Sequence, residues 1–152
     1  MKKSVIIILV LSFCVFSSCD KMPTDSRFDG MWQLMSVEQS GQRVDVKAKR
    51  IYWSVRRNLV QYGASEMPFL YSHIIIRNDS LVLTDFFHNT EAAVEGDDNQ
   101  PVLPSESSVL ESVGVYASPV GSALRASYYV ERVGSSQLVL RGERSVVVFR
   151  KF

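Results

Sequence analysis

The chain has 152 residues, 17 Lys and Arg against 16 Asp and Glu, and a formal charge of +1. That length suits one domain, and near-neutral charge excludes the basic excess by which nucleic-acid binders are recognised. Hydrophobic residues make up 46% and charged residues 22%, which excludes a disordered chain; two cysteines, Cys14 and Cys19, exclude a disulfide scaffold.

In chain order the first element is an address. Lys2 and Lys3 precede an apolar run from Val5 to Phe16. The run is shorter than the roughly 20 residues that a membrane-spanning helix needs, and with its basic start it reads as a signal peptide. Its exit, Phe16-Ser17-Ser18-Cys19, resembles the lipobox of bacterial lipoproteins, in which a small residue precedes the cysteine that is acylated. The resemblance implies a signal peptide over residues 1–18, acyl chains such as palmitate on Cys19, and a polar tether over residues 19–27. Several acyl chains on one residue anchor stably, since each buried methylene contributes roughly 0.8 kcal/mol. The expected location is the cell envelope, on the outer membrane, facing the periplasm or the cell surface. Loss of residues 1–18 leaves 15 basic and 16 acidic side chains, so the basic lean belongs to the signal.

Residues 28–152 form the domain, and from Phe28 onward apolar residues alternate with polar ones. Predicted strands cover residues 31–37, 49–56, 59–62, 69–77, 80–87, 127–133, 137–141 and 145–152. Arg57-Asn58, Asn78-Asp79, Gly134-Ser135-Ser136 and Gly142-Glu143 supply tight turns between them. In the long connection, Ser105 is placed to cap a short helix carrying Val109, Leu110 and Val113, with Gly114 past its end. The fold class expected is all-β: roughly eight antiparallel strands in an up-and-down barrel with one short helix, with a β-sandwich as the alternative.

Gly30-Met31-Trp32 opens the first strand. The tripeptide resembles the Gly-x-Trp signature of lipocalins and the wider calycin group, and the whole chain resembles the lipocalin-like lipoproteins of Bacteroidetes. The resemblance implies that Gly30 and Trp32 close the base of the barrel, with a basic residue of the last strand over the indole. Arg150 is the candidate for that residue, as a guanidinium over an aromatic face is favourable. The chain departs from classical lipocalins in having no disulfide and no long helix before the last strands.

Nothing in the sequence supports catalysis, and no enzyme activity, metal or cofactor is expected. His73 and His88 lack metal-ligand spacing, and no serine sits in Gly-x-Ser-x-Gly. Asp85 and His88 fall at one strand end. Glu95, Asp97, Asp98 and Asn99 do not follow the calcium-loop spacing and read as a solvated loop. The aromatic residues are the binding signal: Tyr52, Trp53, Tyr71, Phe86 and Tyr128 are expected to line a pocket for a small, partly apolar molecule. Alternatively they fill a solid barrel that serves as an interaction module for an envelope protein. Asp79-Ser80-Leu81 resembles a Bacteroidetes O-glycosylation acceptor, which makes Ser80 a candidate for modification. The expected partners are therefore the membrane, a small apolar ligand or an envelope protein, and no nucleic acid.

Overall fold

The computed structural model describes residues 25–64, 70–88 and 99–152. Among them are eleven strands: β1 (Gly30–Gln39), β2 (Gln42–Asp45), β3 (Tyr52–Arg56), β4 (Leu59–Gly63), β5 (Leu70–Arg77), β6 (Ser80–His88), β7 (Gln100–Pro101), β8 (Ser118–Val120), β9 (Ala123–Val133), β10 (Gln137–Arg141) and β11 (Ser145–Lys151). All pairings are antiparallel. The circuit β6-β5-β4-β3-β1-β11-β10-β9 returns to β6 through the β6–β9 pair, in which Ser80 faces Tyr129 and Leu83 faces Ala126. Eight strands thus close into an up-and-down barrel, which leaves no room for the sandwich. Closure removes the exposed edges that an open sheet must protect.

Strict alternation sets the core. In β9 the inward positions Leu124, Ala126, Tyr128 and Val130 are buried between exposed neighbours. In β11, Ser145, Val147 and Phe149 point inward. Two irregularities were not visible in the sequence. Between Ser36↔Asp45 and Gln33↔Tyr52, three steps of β1 are matched by seven on the partner side. The surplus forms a 3₁₀ turn over Lys47–Lys49, ended by Arg50 in the left-handed region, so the second predicted strand begins at Tyr52 and not at Lys49. In β6 the register to β5 shifts between Phe87↔Tyr71 and Thr84↔His73, with Asp85 at φ +52°. This bulge turns Phe86 inward, on the same side as Leu81 and Leu83.

The connection from β6 to β9 carries the only α-helix among the described residues, α1 (Ser107–Ser112). A 3₁₀ turn over Pro104–Glu106 leads into it, and the Glu106 carboxylate accepts from Leu103 N at 2.9 Å. Ser105 therefore lies inside the turn and is not the cap. At the other end Gly114 N donates to Glu111 O and Val115 N to Leu110 O, a Schellman closure with Leu110 and Val115 both fully buried. Gly114 stands at φ +80°, as expected from its place past the helix.

Candidate binding site

Three of the five aromatic residues expected in a pocket converge inside the barrel. Trp53 lies 4.6 Å from Phe149 and 6.5 Å from Tyr128, centroid to centroid, and Tyr62 lies 5.3 Å from Trp53 and 6.5 Å from Phe86. The polar tips are satisfied within the cluster. Trp53 Nε1 donates to Val113 O at 2.8 Å, Tyr62 Oη and Ser72 Oγ share a hydrogen bond at 2.7 Å, and Tyr116 N donates to Tyr128 Oη at 3.1 Å. Burial raises the pKa of both Tyr62 and Tyr128, so both phenols stay neutral. Tyr52 and Tyr71 occupy the outer face instead, because they alternate with the inward Trp53 and Leu70. Tyr52 meets Phe152 edge-on at 5.5 Å, and Tyr71 stacks on Phe87 at 5.4 Å.

The segment around α1 plugs this interior from one end. Leu110, Val113 and Val115 are buried, and two of the bonds above, from Trp53 and to Tyr128, tie the plug to the barrel wall. A Cβ at Gly114 would sit 2.6 Å from Leu34 Cδ2, a measure of how closely plug and wall approach. The barrel interior is thus occupied by its own side chains.

The opposite end is closed around Trp32, whose Nε1 donates to Phe28 O at 2.7 Å. The cation over its ring is Lys151, with Nζ 5.1 Å from the centroid, and not Arg150. The reason is parity. With Phe149 inward, Lys151 also points in and Arg150 points out, where its guanidinium donates to Gln33 Oε1 at 3.2 Å. Gly30 is at φ +123°, and a Cβ there would lie 3.0 Å from Lys151 Cε. The glycine of the tripeptide is therefore required both by backbone conformation and by the lysine that crosses it.

Open space lies at the plugged rim. A cleft of about 290 Å³ runs between the plug and the β10–β11 turn, and a second of about 250 Å³ runs between the plug and β2. Gln39, Glu111 and Tyr116 border both. Burial, with Glu111 nearby, raises the pKa of Tyr116. The first cleft adds Val120, Arg125, Glu143, Arg144 and Ser145. Ser145 is 4% exposed, and its hydroxyl has no hydrogen-bond partner among the described residues. None of the four charged residues of this cleft forms an ion pair with a described residue. The sequence offered no signal for this arrangement, because it depends on how the plug meets the rim.

Other expected residues are placed as follows. Ser80 is exposed beside the Asn78-Asp79 turn. Asp85 Oδ2 lies 3.2 Å from His73 Nδ1 on the outer surface, so its histidine partner is His73 and not His88. Cys19, Glu95, Asp97 and Asp98 lie outside the described residues. Among the described residues no three His, Cys, Asp or Glu side chains group as metal ligands, and no helix is long and apolar enough to cross a membrane.

Residues 14–152 match the family model of a lipocalin-like domain. Two solved structures resemble the fold. An uncharacterized protein from Bacteroides eggerthii is 20% identical over 82% of this chain and 98% of its own, with a TM-score of 0.58. A lipocalin-like protein from Bacteroides uniformis is 15% identical over 83% of this chain and 99% of its own, with a TM-score of 0.54. No curated protein matches the sequence.

Proposed function

The chain belongs to the lipocalin-like domain family, and from that premise we propose a lipid-anchored binding protein of the cell envelope. Its plugged barrel holds a small, partly apolar molecule in the cleft beside the plug. The observation that carries this reading is the cleft lined in part by Ser145, whose buried hydroxyl just behind that lining has no hydrogen-bond partner among the described residues. A buried unsatisfied hydroxyl costs about 1–3 kcal/mol, and a small shift of Ser145 toward a ligand acceptor or donor in the cleft removes that cost. Tyr116, Ala117 and Val120 supply apolar surface, while Arg125 and Arg144 offer donors that pair with no carboxylate among the described residues. The volume is at the small end of ligand sites, which usually span about 300–1,000 Å³. The role is binding and not catalysis.

The anchor rests on Lys2, Lys3, the apolar run and Cys19. Native mass spectrometry of the protein from its own host tests the whole reading. A reproducible bound mass that disappears in Arg144→Ala supports the carrier, and acyl mass on Cys19 supports the anchor. An unliganded mass in every preparation overturns the carrier.

The filled interior favours one second reading, a solid barrel that docks an envelope protein through its outer surface. In that case in-cell crosslinking from position 71 or 87, on the outer aromatic stack, yields one discrete adduct.

A further inference from the structure

The Trp32 end of the barrel carries an excess of basic side chains, and that excess has a geometric relation to the tether. In an up-and-down barrel alternate turns share one end. The end that holds Trp32 gathers the lead-in to β1, the β3–β4, β5–β6 and β9–β10 turns, and the residues that finish β11. Hydrogen bonds confirm the grouping: Arg57 N donates to Asp29 Oδ1, Val130 N to Asp79 O, Lys151 N to Ser136 O and Phe152 N to Met31 O.

Half of the fourteen described basic residues lie there with few carboxylates, while the other seven stand elsewhere among six carboxylates. Arg27 precedes β1, Arg56 and Arg57 enter the β3–β4 turn, and Arg77 enters the β5–β6 turn. Arg132 lies near the end of β9, and Arg150 with Lys151 finishes β11. These seven face four carboxylates, Asp25, Asp29, Asp79 and Glu131, in a chain that carries 15 basic and 16 acidic side chains after residue 18. Of the seven only Arg27 is in an ion pair with a described residue; Glu131 is paired with Arg141. The same end exposes apolar surface: Phe152 is 74% and Met31 42% exposed, with Tyr52 against the Phe152 ring.

The chain enters at this end. From Cys19 to Asp25, the first described residue, is six residues, a reach of at most about 20 Å. A lipid on Cys19 therefore holds the basic end, and not the plugged end, next to the headgroups. We propose that the Trp32 end of the barrel is a membrane-docking surface that lies on anionic phospholipid. Its arginines meet the phosphates, Met31 and Phe152 enter the interface, and the cleft with Ser145 is directed away from the bilayer. Basic residues beside one lipid anchor supply the second signal that firm membrane attachment requires. The docking rests on the anchored reading above.

The test uses the acylated full chain in bilayers of equal parts phosphatidylcholine and phosphatidylglycerol. Ser135→Cys, in the β9–β10 turn, and Ser122→Cys, between β8 and β9, are each labelled with a fluorophore; both positions are exposed. A headgroup-attached quencher is expected to act several-fold more strongly at 135 than at 122. The contrast collapses in pure phosphatidylcholine and in Arg56→Glu with Arg77→Glu, two exposed residues whose side chains make no hydrogen bond with a described residue. Equal quenching at the two positions of an acylated chain overturns the docking and leaves the anchor standing. Absence of acyl mass on Cys19 removes the anchor, and the docking falls with it.

Discussion

The side chain of Lys151 crosses the backbone of Gly30 and ends 5.1 Å above the ring of Trp32. Gly30 and Lys151 are 121 positions apart in sequence, yet the lysine side chain runs where a side chain at position 30 would have to go. A side chain at position 30 would be strained at φ +123° and would meet Lys151 Cε at 3.0 Å. Gly30→Ala is therefore expected to cost about 1–3 kcal/mol of stability, the usual range for a non-glycine residue in a forbidden region. Lys151→Met loses the cation–π contact, worth about 0.5–2 kcal/mol, whereas Arg150→Met, on the outer face, falls within about 0.5 kcal/mol of the parent. Urea denaturation of the three variants checks the order, and a larger effect at 150 than at 151 contradicts it.

That pair also shows what the sequence made legible. Period two, plain in Val147 and Phe149 of β11 and repeated along the chain, made the barrel class and its eight strands legible, whereas the closing role of Trp32 came from the resemblance carried by Gly30-Met31-Trp32. The choice between Arg150 and Lys151 required parity to be carried through from Phe149, and Lys151 then follows as the inward residue. Parity likewise separates Trp53 from Tyr52 and Leu70 from Tyr71. It fails at bulges: the extra residue at Asp85 and the 3₁₀ turn before Ile51 reset the alternation without any distinctive local residue. The rim cleft was beyond sequence reading altogether, because Glu111, Arg125 and Ser145 meet only through the fold.

The plug is held by its own glycine. At Gly114, φ is +80° and a Cβ would lie 2.6 Å from Leu34 Cδ2. Gly114→Ala combines left-handed strain with overpacking, an expected loss of about 2–4 kcal/mol. Leu34→Ala alone opens a core cavity at about 2–5 kcal/mol. Together they should be less damaging than the sum, because the smaller residue at 34 vacates the space that the new methyl needs. A double-mutant cycle by thermal or urea unfolding measures the coupling; strict additivity would show that the contact is not the source of the cost.

Alkaline pH should unfold the barrel through Tyr62 and Tyr128. Burial raises both pKa values above the ordinary value of about 10. In the unfolded chain these phenols lose their protons near pH 10, while the folded state keeps them. Above that pH the unfolded state binds fewer protons, so stability falls with rising pH and is complete below about pH 10. Absorbance near 295 nm is expected to show two tyrosines that ionise only as the barrel opens. Tyr62→Phe removes one of them, and it leaves Ser72 Oγ without its partner at a cost of about 1–3 kcal/mol.

Ser145 separates a binding residue from a structural one. Its hydroxyl is buried and has no partner among the described residues, so the Ser145→Ala variant loses a desolvated group and no hydrogen bond to them. Stability is expected to be unchanged or to rise by up to about 1 kcal/mol, opposite to the usual effect of a buried substitution. If the hydroxyl serves a ligand in the cleft, the same variant loses the bound mass seen in the parent. The two measurements, urea midpoint and native mass, then move apart: firmer fold, weaker binding. A destabilised Ser145→Ala would mean that the hydroxyl supports the fold, and a stable variant that retains its ligand would remove Ser145 from the site.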